Sequence, residues 1–269
     1  MKIFYNKNKL IKYTQRQKNI GFVPTMGAIH AGHISLIKKS LKECDKTIVS
    51  IFVNKPQFNK QKDYNKYPRN LKSDILKLKK SKVDFLYIPT NKEIYPKNPN
   101  KNIQISKFKK KLCGKFRKNH FEAVVDVLER FVKIIGPKKM YLGEKDMQQL
   151  IIVKEFFKNK NTKIMIVPCK TIREKNGMAY SSRNFLLSKK DKKIAGKVFR
   201  YMKSKKKNLI KNKSLISKIK KIIYSFGVKK IDYIEVININ EYFNFYKTHK
   251  KFRIFIAYHL KSIRLIDNF

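Results

Sequence analysis

Acidic residues are scarce in this sequence. The 269 residues include 18 Asp and Glu against 66 Lys and Arg, which gives a formal net charge of +48. Such a charge attracts polyanions without specificity at low salt. The excess is mostly lysine and is spread along the whole chain beside abundant Asn and Ile, as an A/T-rich coding sequence would produce. A nucleic-acid domain usually concentrates its charge and adds arginine and stacking aromatics. We therefore expect no specific nucleic-acid partner.

Cysteine is also rare, and long apolar runs are lacking. Cys44, Cys113 and Cys169 are widely spaced, so they fit neither a disulfide framework nor a zinc site, and they favour a reducing compartment. No apolar run approaches the ~20 residues that span a bilayer. The first residues lack the continuous apolar core of a signal peptide. We expect a cytoplasmic protein with no membrane partner and no metal site built by protein ligands.

The first two-thirds of the chain alternates short apolar runs with helical patterns, which is typical of a parallel α/β sheet. Strands are predicted at 19–24, 46–53, 83–88, 139–142 and 164–167. Helices are predicted from near His33, over 71–80, over 120–135 and around Leu150 to Phe157. The pattern predicts a doubly wound, Rossmann-like domain over residues 1–171, with ligands at the carboxyl ends of its strands.

The rhythm changes after about residue 171. A lysine-rich helical region covers 189–221, and two alternating runs follow at 231–236 and 253–258. The basic region keeps its apolar residues at helical spacing, so it is most simply a solvated helix face. This order of helices and then strands predicts a second, smaller α+β domain over residues 172–269.

The segment Pro24–His33 carries the strongest chemical signal. It follows a predicted strand and opens a helix, where unpaired backbone N–H groups and the helix dipole favour an anion. Gly27 and Gly32 permit a tight turn and a close approach to phosphate. His30 and His33, three residues apart, can donate to phosphate oxygens from one side of the helix. The alternative is that local backbone bonds satisfy both histidines.

The pattern His30-Ala31-Gly32-His33 is similar to the signature of HxGH nucleotidyltransferases. Further blocks follow in one order over nearly the whole chain: Ser50–Phe58, Tyr67-Pro68-Arg69, Arg117–Phe121, Gly143–Gln149, Asn176–Asn184 and Arg264–Asn268. Together they resemble the pantothenate synthetase family, AMP-forming ligases that join pantoate to β-alanine.

Several residues in these blocks also suit the chemistry by type. Gln57 and Gln149 carry neutral amides that can both donate to and accept from a small polar acid. Lys145 is a mobile cation after a strand end, and Asp146 is an acceptor suited to ribose hydroxyls. Taken singly, each glutamine also fits a surface or loop-capping role. Lys145 alone indicates nothing in so lysine-rich a chain, and its place after a strand end is what counts.

The block Asn176–Asn184 adds two hydroxyls and a fork-shaped donor. Ser181, Ser182 and Arg183 suit phosphate binding. A helix-capping serine pair beside a surface arginine is the alternative. His120 is expected at the start of a helix, with capping or packing as its other role.

The resemblance implies a reaction and a set of site residues. ATP and pantoate would bind between a large domain and a smaller lid domain, and a pantoyl adenylate would then react with β-alanine. The implied catalytic residues are His30, His33, Lys145, Ser181, Ser182 and Arg183, with the histidines acting by hydrogen bonds or by proton donation. The implied ATP contacts are Met26, Gly27, Ala28, Ile29, His30, Ala31, Gly32, His33, Gly143, Glu144, Lys145, Asp146, Ile172, Tyr180, Ser181, Ser182 and Arg183. Gln57 and Gln149 would hold pantoate, Mg²⁺ would enter with ATP, and the enzyme would be a homodimer.

Some positions depart from the family pattern. Lys55-Pro56 shifts a proline by one residue before Gln57, which changes the residue that is held extended. Tyr180 stands where a Leu or Met is usual, and Lys118-Asn119 replaces a Pro-Gly pair. None removes a group assigned to chemistry, so we expect activity to be retained. A nucleotidyltransferase of the same fold acting on a phosphorylated acceptor is the alternative enzyme, but it would need cations where Gln57 and Gln149 stand.

Overall fold

The larger sheet is parallel and doubly wound. The computed structural model describes residues 1–100, 102–242 and 251–269. The sheet order is β1-β4-β3-β2-β5-β6, and each neighbouring pair is parallel. Its strands are β1 Lys2–Phe4, β2 Ile20–Thr25, β3 Lys46–Ile51, β4 Phe85–Tyr87, β5 Lys139–Gly143 and β6 Met165–Cys169. The strand order reverses between β2 and β5, so ligands are expected at the carboxyl ends of these two strands.

Helices cover both faces of this sheet and form part of the smaller unit. They are α1 Lys7–Thr14, α2 Ala31–Glu43, α3 Gln61–Lys66, α4 Leu71–Lys80, α5 Asn91–Ile94, α6 Cys113–Phe116, α7 His120–Ile135, α8 Met147–Asn159, α9 Lys189–Lys211 and α10 Ile216–Ser225. Short 3-10 helices lie at Lys55–Gln57, Lys107–Lys110, Glu144–Asp146, Ser182–Leu186, Lys213–Leu215 and Ile239–Glu241. In α7, Val124, Leu128, Phe131 and Ile135 are buried at the spacing of one helical face.

The smaller sheet is antiparallel, in the order β7-β8-β9. Its strands are β7 Lys230–Asn238, β8 Phe252–Leu260 and β9 Ile263–Asn268. Buried residues of α9 and α10, such as Met202 and Ile223, share one hydrophobic cluster with Ile256 of β8. This arrangement confirms the predicted fold class, a parallel doubly wound sheet with a smaller α+β unit.

The connection between the two units runs from the end of β6 at Cys169 to the start of α9 at Lys189. The predicted boundary after residue 171 falls within it. An isolated antiparallel bridge pairs Arg173 with Ala179, and Arg173 donates to both carboxylate oxygens of Asp267 in β9 at 2.7 and 2.8 Å. The connecting segment is therefore fastened to the smaller sheet.

Some element boundaries differ from the prediction. Helix α2 begins at Ala31 rather than near His33, because His30 is the extended N-cap residue. The strand predicted at 83–88 is only three residues long, Phe85–Tyr87. The short elements β1, α1 and β9 were not predicted, since three to eight residues carry too little periodic signal. None of the helices described in the structure is long and apolar enough to cross a membrane.

Candidate active site

A cavity of about 740 Å³ lies where β2, β3 and β5 end, and residues of the smaller sheet close its other side. The segments after these three strands supply His30, Asn54 and Lys145 to its wall. Tyr233, Tyr258 and Arg264 line it from β7, β8 and β9. The cavity therefore occupies the position that the strand order predicts for a ligand.

A buried carboxylate shapes the loop between β2 and α2. Gly27 has a φ of +81°, a conformation that favours glycine. Asp74 of α4 is only 2% exposed and accepts the backbone N–H groups of Ala28 and Ile29 at 2.8 and 2.7 Å. Ala28 and Ile29 were among the predicted ATP contacts, but a protein carboxylate already accepts their backbone N–H groups.

The two histidines stack face to face at the start of α2. Their ring centroids are 3.9 Å apart, with 21° between the ring planes. A side chain at Gly32 would disturb this pair, since its Cβ would lie 2.9 Å from Cε1 of His30. The ring of Tyr180 lies on the same side, 6.1 Å from that of His30. The tyrosine that departs from the family pattern therefore extends the wall of stacked rings.

Both histidines are held neutral. Burial and the nearby charge of Lys145 lower the pKa of His30 to about 4. Burial and the neighbouring His30 lower the pKa of His33 well below its usual value. In each ring Nδ1 is enclosed, without a hydrogen-bond partner among the described residues, so Nε2 is the nitrogen left to face the cavity. These rings suit hydrogen bonding to an anion better than proton donation at neutral pH.

Lys145 sits on the 3-10 helix that follows β5. Its ammonium lies 3.3 Å from the carboxylate of Asp146, and its side chain is 18% exposed. The end of β9 holds this helix, because Asn268 Nδ2 donates to the carbonyls of Glu144 and Lys145, each at 2.9 Å. The Glu144 carboxylate is bound to Arg253 at 2.9 Å. Glu144 therefore fastens the two units together and does not line the cavity.

The segment with the two serines crosses from one unit to the other. Ser182 is 7% exposed and its Oγ donates to the carbonyl of Ala28 at 3.4 Å. Ser181 caps the following 3-10 helix by accepting the N–H of Arg183 at 3.3 Å. Arg183 forms an ion pair with Asp63 of α3 at 2.9 Å. The capping alternative thus holds for Ser181. Ser181, Ser182 and Arg183 all line the cavity, and phosphate binding by them stays a prediction.

The glutamines line the same cavity beside the histidines. Gln57 Nε2 donates to Met26 Sδ at 3.0 Å, and Gln57 Oε1 accepts from Asn54 at 3.2 Å. The shifted proline is accommodated in the 3-10 helix Lys55–Gln57, and Gln57 still reaches the wall. The side chain of Gln149 has no hydrogen bond to any residue that the structure describes, whereas Gln148 is buried and fully bonded.

Most, but not all, of the predicted site residues meet at this cavity. Met26, His30, Gly32, His33, Gln57, Gly143, Lys145, Asp146, Gln149, Ile172, Tyr180, Ser181, Ser182 and Arg183 line it. Five residues predicted to contact ATP do not line it: Gly27, Ala28, Ile29, Ala31 and Glu144. Sequence reasoning missed Asp63 and Asp74 and gave Asn268 no role, because a hydrogen-bond partner on a distant element leaves no local pattern.

The comparisons with known proteins agree with this geometry. The family described as Pantoate-beta-alanine ligase matches residues 2–269. The chain belongs to the pantoate–β-alanine ligase family. A pantothenate synthetase of Caldicellulosiruptor saccharolyticus is 39% identical, with 99% of this chain and 96% of that protein covered. A pantothenate synthetase of Endomicrobium trichonymphae is 41% identical, with 100% of this chain and 97% of that protein covered.

Solved structures place the fold in the same family. The pantoate–β-alanine ligase of Francisella tularensis, complexed with beta-gamma ATP and β-alanine, matches with a TM-score of 0.86 and 36% identity. It is covered over 97% of its length, and this chain over 100%. A pantothenate synthetase of Thermus thermophilus matches with a TM-score of 0.90 and 28% identity, with 100% of this chain and 99% of that one covered. The resemblance drawn from the sequence motifs is confirmed, and the chain is an enzyme of the ligase class.

Proposed function

We propose that this enzyme activates pantoate with ATP and transfers the pantoyl group to β-alanine. A pantoate carboxylate oxygen attacks the α-phosphorus of ATP, and pyrophosphate leaves. The β-alanine amine then attacks the acyl carbon, AMP departs with the bridging oxygen, and the amine loses a proton. The observation that carries the proposal is one cavity lined both by His30, His33, Lys145 and Arg183, which suit phosphates, and by the amides of Gln57 and Gln149.

The phosphate side combines neutral donors with cations. His30 and His33 would present Nε2–H groups to the phosphates, and Lys145 and Arg183 would neutralise their charge. The charge on pyrophosphate grows as the bond to the α-phosphorus breaks, so fixed donors stabilise the transition state more than bound ATP. Asp63 and Asp146 each hold one of these cations in place. No protein nucleophile is required.

The pantoate side is built from neutral groups. The amide of Gln149 lines the cavity and lacks a protein partner among the described residues, so it is available to hydroxyl and carboxylate oxygens of pantoate. Gln57 is already oriented by Asn54 and Met26. Holding the acid still beside the α-phosphorus is itself a large part of catalysis.

Mg²⁺ fits this site as a companion of ATP. It usually binds through substrate phosphates, waters and one or two carboxylates, and it neutralises phosphate charge. Across residues 1–100, 102–242 and 251–269, no group of three His, Cys, Asp or Glu could hold a metal ion alone. Asp146, whose side chain is 46% exposed, is a cavity carboxylate that could share such an ion with the nucleotide. A homodimer and a cytoplasmic location stay predictions from the family and from the composition.

Isotope transfer tests the reaction. Pantoate labelled with oxygen-18 in its carboxylate is incubated with ATP and Mg²⁺, first without amine and then with β-alanine. Without amine, pyrophosphate and an enzyme-bound pantoyl adenylate should form, and β-alanine should then release AMP that carries one labelled oxygen. Release of ADP and phosphate, or AMP without label, would overturn the adenylate route. Covalent transfer of AMP to a phosphorylated acceptor would instead support the alternative nucleotidyltransferase.

A further inference from the structure

Arg117 lines the cavity and takes no part in the reaction steps proposed for the enzyme. It lies between α6 and α7, and its Nη1 is 3.2 Å from Nε2 of His120. The Nδ1 of His120 is 2.8 Å from the backbone carbonyl of Gln57. A carbonyl only accepts hydrogen bonds, so Nδ1 carries the hydrogen and Nε2 accepts from the guanidinium. One imidazole thus joins Arg117 to Gln57 in a fixed orientation.

The guanidinium of Arg117 differs from those of Arg183 and Arg264, because no protein carboxylate among the described residues is paired with it. Arg183 is paired with Asp63 at 2.9 Å, and Arg264 is paired with Asp232 at 2.7 Å. Within the part of the chain that the structure describes, Arg117 forms no ion pair, and its hydrogen-bond partner is the neutral ring of His120. Burial and the charges of Arg183 and Arg264 lower the pKa of Arg117 to about 10, so it stays cationic at neutral pH. A partly buried cation without a counter-charge is costly, which makes this position an anion site.

Resting on the proposed function, we propose that Arg117 binds the carboxylate of β-alanine and that His120 positions it beside the pantoyl group. The phosphates have Lys145 and Arg183, and the pantoate carboxylate becomes an uncharged acyl group. The carboxylate of β-alanine is the remaining substrate anion, and it matches the fork of a guanidinium. The ring of His120 contacts both Arg117 and the backbone carbonyl of Gln57, and Gln57 is proposed to hold pantoate. The amine of β-alanine, two methylene groups from its carboxylate, would therefore lie toward the acyl carbon.

The test compares β-alanine with n-propylamine, which keeps the amine and the chain length but has a methyl group in place of the carboxylate. Arg117→Gln should raise the KM for β-alanine about 10- to 100-fold, the loss expected for a hydrogen-bonded charge. Use of n-propylamine and release of pyrophosphate without amine should change less than about twofold. Arg117→Lys should recover part of the β-alanine affinity, since it restores charge without the fork.

Lys118→Gln is the matched control, because it removes the same charge from an adjacent exposed residue that does not line the cavity. Its kinetics should match the parent enzyme. An unchanged KM for β-alanine in Arg117→Gln would overturn the proposal, and so would an equal loss with both amines or a selective loss of adenylate formation. Failure of the proposed function would look different, since the parent enzyme itself would then release no pyrophosphate from ATP and pantoate.

Discussion

His33 is better suited to donate a hydrogen bond than a proton, because burial lowers its pKa well below neutrality. Replacing it with alanine should slow adenylate formation about 10²–10³-fold, the usual cost of one preorganised donor. Glutamine places its amide nitrogen near the position of Nε2, and asparagine near that of Nδ1. Since Nδ1 is enclosed, His33→Gln should recover more rate than His33→Asn in single-turnover assays. Near-normal adenylation by His33→Ala would remove it from the mechanism.

Gln148 and Gln149 are adjacent, but replacing the first should affect stability and replacing the second should affect pantoate binding. Gln148 is 5% exposed, accepts the N–H of Cys113 and donates to the carbonyls of Phe108 and Lys111. Gln148→Ala should lower the free energy of unfolding by about 1–3 kcal/mol, the cost of unpaired buried groups. Gln149→Ala should leave stability within ~0.5 kcal/mol and raise the KM for pantoate about tenfold. Urea unfolding and initial rates separate the two; a large stability loss in Gln149→Ala would contradict its proposed role.

At this scale the sequence predicts residue types well and hydrogen-bond partners poorly. The motif around His30 and His33 could be recognised because its residues are contiguous. The pairing of Asp74 with the loop before α2 joins positions more than 40 residues apart, and Asp74 itself lies in an ordinary helical pattern. A single sequence contains no signal for such a pair, so the acceptor of the Ala28 and Ile29 N–H groups was not predicted.

The loop between β2 and α2 depends on α4 for its shape. Asp74→Asn keeps the size of the side chain but replaces one acceptor oxygen with a donor, facing the N–H groups of Ala28 and Ile29. This change should cost about 1–3 kcal/mol of unfolding free energy. It should also lower kcat for adenylation, because His30 follows the loop directly. Ser73→Ala is the control, since Ser73 is next in the helix and its side chain has no bond to the loop. Unchanged stability and kcat in the Asp74→Asn enzyme would show that the loop keeps its shape without the carboxylate of Asp74.

Long elements could be predicted because their periodicity reflects burial on one or both faces. The core strands and α7 are of this kind. The short strand β9 pairs with β8 only after the chain has turned, and its Asn268 acts through the carbonyls near Lys145. Its role comes from tertiary contact and not from local pattern. The closing block could therefore be recognised by resemblance but not explained from the sequence.

The charge of the whole molecule should be separable from catalysis. Lys193, Lys197, Lys207 and Lys211 are exposed on α9 and do not line the cavity. Changing all four to glutamine should leave the ligase rate within about threefold, because surface charges interact weakly at physiological salt. Retention on heparin or DNA at low salt should weaken, as counterion release requires. A collapse of the rate in a variant with a native circular dichroism spectrum would show that this surface takes part in the reaction.

The three histidines with lowered pKa values should make the fold sensitive to mild acid. Burial lowers the pKa of His30 to about 4 and lowers the pKa values of His33 and His120 as well, whereas each would titrate near its usual value in the unfolded chain. Between those values the unfolded chain binds more protons, so the stability present above about pH 6.5 is lost as the pH falls. Because the chain has only 18 acidic residues, few carboxylates contribute to the loss of stability in acid.

His30 alone should account for roughly 1–2 kcal/mol of unfolding free energy lost between pH 6.5 and pH 5. Urea unfolding of the enzyme without ligands, followed at several pH values in this window, measures the slope. His30→Gln, which cannot take up a proton, should flatten that slope by the same amount while the remaining dependence from His33 and His120 persists. If the parent enzyme is equally stable at pH 6.5 and pH 5, or if His30→Gln leaves the slope unchanged, His30 is not held neutral in the fold. The stacked pair could then take up and donate a proton near neutral pH, and proton donation to the departing pyrophosphate would become the better account of its chemistry.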